Sequence, residues 1–118
     1  MAGEAQPDCL FCKIVAGDIP ATVVRETETT IAFRDINPQA PTHVLVIPRV
    51  HYADAAELAA GDPAAAADVL REAGEVAARE NVVDTGYRIV FNTGPGAGQT
   101  VFHAHAHVLG GRDLQRLV

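Results

Sequence analysis

The sequence has little positive charge, few cysteines and no long apolar stretch. Its 118 residues include nine lysines and arginines against 15 aspartates and glutamates, and the net charge of −6 argues against a general nucleic-acid binder. No apolar run approaches the ~20 residues needed to cross a bilayer. The first nine residues, MAGEAQPDC, contain an acid and no apolar core, which is not typical of a signal peptide. We therefore expect a cytoplasmic chain without a membrane partner, whose two cysteines are reduced.

The remaining composition is that of one globular domain. The chain is 48% hydrophobic and 20% charged, with scattered glycine and proline. A chain of this length can bury a core without disulfide bonds. We expect a single domain over residues 1–118, with residues 1–7 disordered.

The apolar pattern predicts an α+β fold with about five strands and one main helix. Strands are expected over residues 21–27, 30–36, 43–48, 87–92 and 101–109. The short connections between them favour antiparallel pairing.

The main helix is predicted to begin at Asp62 and Pro63, a favourable N-cap and first-turn pair. Its core face would carry Ala66, Val69, Leu70, Ala73, Val76 and Ala77, and its outer face Arg71, Glu72, Glu75 and Arg79. A short N-terminal helix, capped by Asp8 and ended by Gly17, and a short helical piece over residues 54–60 complete the prediction.

Three of the five histidines lie at alternate positions in QTVFHAHAHV: His103, His105 and His107. On a strand they would share one face, and the other face, toward the helix, would carry Phe102, Ala104, Ala106 and Val108. Positions i and i+4 of a strand lie ~13 Å apart. One zinc ion, with Zn–N bonds of ~2.1 Å, can bind two of these side chains but hardly all three. At least one histidine is therefore left for other chemistry.

A glycine-rich loop, residues 92–100, leads directly into the histidine segment. Glycines let backbone N–H groups approach an anion closely, and Thr100 adds a hydroxyl donor. A glycine-rich hairpin loop is the simpler interpretation of this loop alone. Its position next to the histidines strengthens the case for phosphate binding.

Cys9 and Cys12 form a CxxC pair at zinc-ligand spacing, which supplies half of a tetrahedral site. The alternatives are a pair of reduced, half-buried side chains or, less expected without a βαβ setting, a redox pair. Any further zinc ligands would come from the histidines.

Three segments together resemble the histidine triad (HIT) family, in particular its nucleoside phosphoramidase branch. They are CKIVAGDIPA (12–21), DINPQAPTHVLVIPR (35–49) and NTGPGAGQTVFHAHAHVLGGR (92–112), and the similarity extends over residues 8–112. The resemblance implies a half-barrel α+β fold that forms a homodimer through the helix and the sheet edge. It also implies hydrolysis of purine nucleoside phosphoramidates or aminoacyl-AMP-type adducts, with AMP released.

The resemblance also implies residue roles. His105 matches the nucleophile that forms a nucleotidyl–histidine intermediate, and His107 and His43 match positions that contact or orient the phosphate. The implied substrate contacts are Asp35 with the ribose, Ile36 with the nucleoside, and Asn92, Gly98, Gln99 and Thr100 with the phosphate.

Some bacterial members of the family bind a structural zinc, and here the implied ligands are Cys9, Cys12, His51 and His103. In that case His103, the first histidine of the triad, supports the site, and no metal is needed for catalysis.

The chain departs from some phosphoramidases at its end, where residues 113–118 form a variable tail without their tryptophan. Two other functions stay open on the sequence alone: a dinucleoside polyphosphate hydrolase and a nucleotide-binding adaptor. The complete triad favours an enzyme, and the APTHVLVIPR and VLGGR segments favour the phosphoramidase branch.

Overall fold

A computed structural model describes residues 3–116 and places five strands in one antiparallel sheet with three helices. The strands are β1 (Val23–Glu26), β2 (Thr30–Arg34), β3 (Thr42–Pro48), β4 (Tyr87–Val90) and β5 (Ala106–Gly110). The helices are α1 (Leu10–Ala16), α2 (Ala55–Gly61) and α3 (Pro63–Arg79), and one 3₁₀ turn, Pro95–Ala97, lies before β5. The sheet order is β1-β2-β3-β5-β4. The predicted α+β class, with five strands and one main helix, is confirmed.

The central strand β3 has both faces covered, and all seven of its residues are buried. Val44 and Val46 pack in the core beneath α3, whereas Leu45 and Ile47 pack with Phe11 of α1 on the opposite face. Alternate residues of a strand point to opposite faces, so the apolar run of β3 forms two cores. The second core brings α1 against the sheet.

The helix ends follow their sequence signals with one exception. Asp62 caps α3 by accepting a hydrogen bond from the N–H of Ala65 (3.0 Å), and Gly17 ends α1 at φ +80°. The predicted cap of α1 by Asp8 is wrong. The cap is Cys9, whose sulfur accepts from the N–H of Cys12 (3.3 Å).

The predicted faces of α3 need two corrections. Val69, Ala73, Val76 and Ala77 are buried, but Leu70 is 52% exposed. Glu72, expected on the outer face, is buried because Arg25 of β1 donates to its carboxylate (2.5 Å). Burial of a charged carboxylate is unfavourable because it loses its hydration, and the ion pair with Arg25 offsets part of this free energy.

The histidine strand is shorter than the sequence predicts. Pairing begins at Ala106, so that only His107 of the three histidines lies in β5, and Phe102 is 48% exposed. Before Ala106 the backbone is hydrogen-bonded to a loop and not to a neighbouring strand, since the N–H of Ala104 donates to the carbonyl of Tyr52 (2.7 Å). Ala104, Ala106 and Val108 face the core beneath α3, as predicted.

Residues 1–7, which we expect to be disordered, and the variable tail 113–118 lie partly outside the described residues. Within them, the N–H of Gly3 donates to the carbonyl of His51 (2.7 Å). Among residues 3–116 no helix is long and apolar enough to cross a membrane.

Candidate functional site

The histidine segment contributes to two groups of side chains. We call the first the thiol cluster: Cys9, Cys12, His51 and His103. We call the second the imidazole cluster: Asp35, His43 and His107. In each cluster the candidate ligand atoms lie within 4.8 Å of one another. His105 lies between the two along the chain.

The thiol cluster has the spacing of a tetrahedral metal site. The sulfur of Cys12 lies 3.3 Å from Nδ1 of His51 and 3.5 Å from Nδ1 of His103, and the sulfur of Cys9 lies 3.5 Å from the same nitrogen of His103. Zn–S bonds of ~2.3 Å and Zn–N bonds of ~2.1 Å at a tetrahedral angle separate two ligands by about 3.6 Å. The four side chains therefore fit a zinc ion.

The protonation of His103 also suits a metal. Its Nε2 lies 2.8 Å from the carbonyl oxygen of Pro48, an acceptor, so this nitrogen carries the hydrogen and Nδ1 offers its lone pair to the thiol cluster. The side chain is fully buried, and this burial lowers the pKa of His103 to about 4. Burial likewise raises the pKa of the Cys12 thiol.

In His105 the two ring nitrogens have the reverse roles from those in His103. Nδ1 lies 2.7 Å from the carbonyl oxygen of His103, to which it must donate, so that Nε2 keeps a free lone pair. The ring of Phe11 packs edge-on against the imidazole at a centroid distance of 5.0 Å, which holds it in this orientation. Burial lowers the pKa of His105, partly opposed by the bond to His103, and keeps the imidazole neutral at pH 7.

The imidazole cluster is organised around a backbone N–H. Gln39 donates its N–H to Nδ1 of His43 (3.0 Å), so the hydrogen of His43 lies on Nε2. That nitrogen is 2.9 Å from Nδ1 of His107 and 3.4 Å from Oδ2 of Asp35. His43 thus donates to His107, whose own hydrogen lies on Nε2.

This arrangement disfavours a metal ion in the imidazole cluster. Nε2 of His43 carries a hydrogen and offers no lone pair to a cation while Gln39 holds Nδ1. Burial, together with the neighbouring His105 and His43, lowers the pKa of His107 to about 4. The imidazole cluster holds protons in place, whereas the thiol cluster can hold a metal.

The glycine-rich loop uses most of its own hydrogen-bond donors. The N–H of Gly98 donates to Pro95 (3.0 Å), that of Gln99 donates to Gly94 (3.1 Å), and the Gln99 side chain is buried. Thr100 is exposed, and Asn92 is half-buried at the start of the loop. Of the predicted nucleotide contacts on the other side, Ile36 is fully exposed and Asp35 is half-buried.

Sequence reasoning did not find the residues that hold the histidines. Gln39 acts through its N–H, which every residue type except proline supplies, and Pro48 acts through its carbonyl, so no sequence signal marks them. Phe11 lies between the two cysteines, but its contact with His105 spans 94 positions of the chain and depends on the fold.

The chain is similar to several known proteins over most of its length. The HIT domain family matches residues 16–114. The purine nucleoside phosphoramidase of Escherichia coli (strain K12) is 38% identical over 107 residues, 91% of this chain and 90% of that protein. The 14 kDa zinc-binding protein of Zea mays is 44% identical over 108 residues, 89% of this chain and 83% of that protein.

A solved structure gives the same result. The HIT family hydrolase from Clostridium thermocellum superposes with a TM-score of 0.91 at 42% identity, covering 96% of this chain and 98% of that one. With a matching family domain, a matching fold and a complete set of triad histidines, the chain belongs to the HIT domain family and is one of its hydrolases.

Proposed function

We propose that this hydrolase cleaves purine nucleoside 5′-phosphoramidates, or aminoacyl-AMP-type adducts, and releases AMP through a nucleotidyl–histidine intermediate on His105. The observation that carries the proposal is the 2.7 Å bond from Nδ1 of His105 to the carbonyl of His103, which leaves Nε2 free to attack. An imidazole with this free lone pair is a nucleophile at neutral pH. The similarity to the phosphoramidase of E. coli supports the substrate class.

The reaction takes two steps. Nε2 of His105 attacks phosphorus and forms a P–N bond while the bond from phosphorus to the leaving amine breaks. The leaving amine takes up a proton from water, and the Nε2–H of His107, supported by His43, would donate a hydrogen bond to a phosphate oxygen. Water then hydrolyses the nucleotidyl–histidine, which releases AMP and restores His105.

The other implied contacts surround this nucleophile. Asp35 would accept hydrogen bonds from the ribose hydroxyls, since a carboxylate can serve two donors. The fully exposed Ile36 would pack on the nucleoside and lose its exposed apolar surface. Asn92, Gly98 and Thr100 would lie near the phosphate.

Zinc, held by the thiol cluster, would be structural. Four protein ligands complete a tetrahedral site and leave no open position for substrate. The ion would supply a clamp between α1, which carries Cys12, and the histidine segment. The similarity to a zinc-binding relative supports this part of the proposal.

A homodimer is also proposed, through α3 and the edge strand β4. Leu70, Val83 and Tyr87 are large apolar side chains that remain exposed in the single chain. Edge strands and exposed apolar side chains are common places of subunit contact.

The decisive experiment measures AMP release from adenosine 5′-phosphoramidate by the wild type and by His105→Ala, beside diadenosine tetraphosphate. We expect the wild type to prefer the phosphoramidate and the variant to lose at least about a thousandfold in kcat/KM. Phe102→Ala, at an exposed position of the same segment, is the matched control and should keep wild-type activity.

The alternatives give different results. Faster cleavage of the tetraphosphate would identify a dinucleoside polyphosphate hydrolase. AMP binding without turnover of either substrate would refute the catalytic proposal in favour of a nucleotide-binding adaptor.

A further inference from the structure

The side chain of Gln99 lies inside the base of the glycine-rich loop, with only 4% of the residue exposed. Its Oε1 accepts from the N–H of Gly94 (2.8 Å), and its Nε2 donates to the carbonyl oxygens of Ala53 (2.7 Å) and Val101 (3.0 Å). These partners determine which end of the amide is nitrogen, because a backbone N–H can only donate and a carbonyl can only accept. Both hydrogens of the amide are therefore in use.

The three bonds join three segments of the site. Gly94 begins the turn of the loop, Val101 leads into the histidine segment, and Ala53 follows His51 of the thiol cluster by two residues. The neighbouring carbonyl of Tyr52 accepts from the N–H of Ala104 (2.7 Å). One short stretch of backbone thus supports both the loop and the histidine segment.

Thr100, at the end of the loop, is open to a phosphate. The N–H groups of Gly98 and Gln99 are bonded within the loop. Within residues 3–116 neither the N–H nor the hydroxyl of Thr100 has a hydrogen-bond partner. The side chain of its neighbour Gln99 points inward.

We propose that Gln99 is a positioning residue, which aims Thr100 at the substrate phosphate by tying the loop to Ala53 and Val101, and that its own side chain does not touch the nucleotide. The inference rests on the proposed function, since it requires a phosphate at Thr100. Three glycines in the loop allow many backbone conformations. The buried amide selects one of them.

The test compares the binding of AMP and of adenosine, which lacks the phosphate, to the metal-loaded full chain by calorimetry. Gln99→Met has nearly the same size but makes none of the three bonds. We expect AMP affinity to fall about tenfold and adenosine affinity to stay within about twofold, because only the phosphate contact is displaced. Thr100→Ala should show the same selective loss, and the double variant no further loss, because the two residues act through one contact.

Two results would overturn the inference: a Gln99→Met protein with wild-type AMP affinity, or one that loses AMP and adenosine equally. A wild type that binds neither ligand would instead refute the proposed function, and the inference with it.

Should Gln99→Met fail to fold, the wild type provides the answer by NMR. We expect AMP to shift the Thr100 amide signal, and the Gln99 side-chain amide to show slow hydrogen exchange and no Overhauser contact with AMP. A direct contact between AMP and that side chain would overturn the inference.

Discussion

The thiol cluster and the imidazole cluster each take one histidine from the same segment, yet the structure suits them to different tasks. In the thiol cluster, Nε2 of His103 is bonded to the carbonyl of Pro48, and Nδ1 is free for a cation. In the imidazole cluster, Nδ1 of His43 is bonded to the N–H of Gln39, and Nε2 carries a hydrogen. A carbonyl partner leaves the other ring nitrogen with a free lone pair, and an N–H partner leaves it as a hydrogen-bond donor.

His105 shows the same principle within the triad. Its partner is a carbonyl, as for His103, but its free nitrogen has no thiol beside it and is left as a nucleophile. The chemistry of each histidine is therefore chosen by one backbone group and by its neighbours, more than by its place in the motif.

The largest effect we expect separates the two ends of the histidine segment. His105→Ala should lose at least about a thousandfold in kcat/KM while its zinc content stays near the wild type, because it removes a nucleophile and no metal ligand. His103→Ala should lose zinc and keep more of its kcat/KM than His105→Ala, because it removes a metal ligand and leaves the nucleophile. Metal analysis beside kinetics checks this, and loss of zinc from His105→Ala would break the distinction between the clusters.

Removing a ligand from the thiol cluster should act on stability. Cys12→Ser weakens the metal site, and we expect an unfolding free energy lower by about 3 kcal/mol at saturating zinc, from the binding energy that the folded state loses. Thermal unfolding with and without a chelator measures it. The wild type should drop to the midpoint of the variant when the chelator is added, and the variant should not respond. An unresponsive wild type would contradict a structural zinc.

The proton arrangement of the imidazole cluster can be tested through Gln39. Gln39→Pro removes the N–H that holds Nδ1 of His43, and we expect kcat to fall about tenfold, which is the effect of one hydrogen bond to the site. Gln39→Ala keeps the N–H and is the matched control. Equal activity of the two variants would show that this backbone group does not set the state of His43.

The sequence predicts the framework of the molecule because that framework rests on local patterns. Asp62 and Pro63 mark the start of α3, and the apolar run of β3 marks a buried strand, as the structure has them. The face of Glu72 could not be predicted, since its partner Arg25 is 47 residues away.

In the site, too, the sequence predicts some features and not others. The four residues of the thiol cluster come together as the resemblance implies, and so do His43 and His107. Which nitrogen of each ring is free depends on carbonyl and N–H groups that carry no residue-specific signal. The inward direction of Gln99 depends on Ala53, which the sequence gives no reason to place there.

The smallest expected effect concerns the carboxylate of the imidazole cluster. Asp35→Asn keeps an oxygen for the N–H of Asn37, now 2.8 Å from Oδ1, so the turn should survive. It removes one acceptor for the ribose, and we expect KM to rise severalfold, about the effect of one exposed hydrogen bond, with little change in kcat. Zinc content should stay at one ion per chain, because the imidazole cluster holds none. A variant that loses a second equivalent of metal would show that Asp35 is a ligand, and that the two clusters are more alike than their hydrogen bonds indicate.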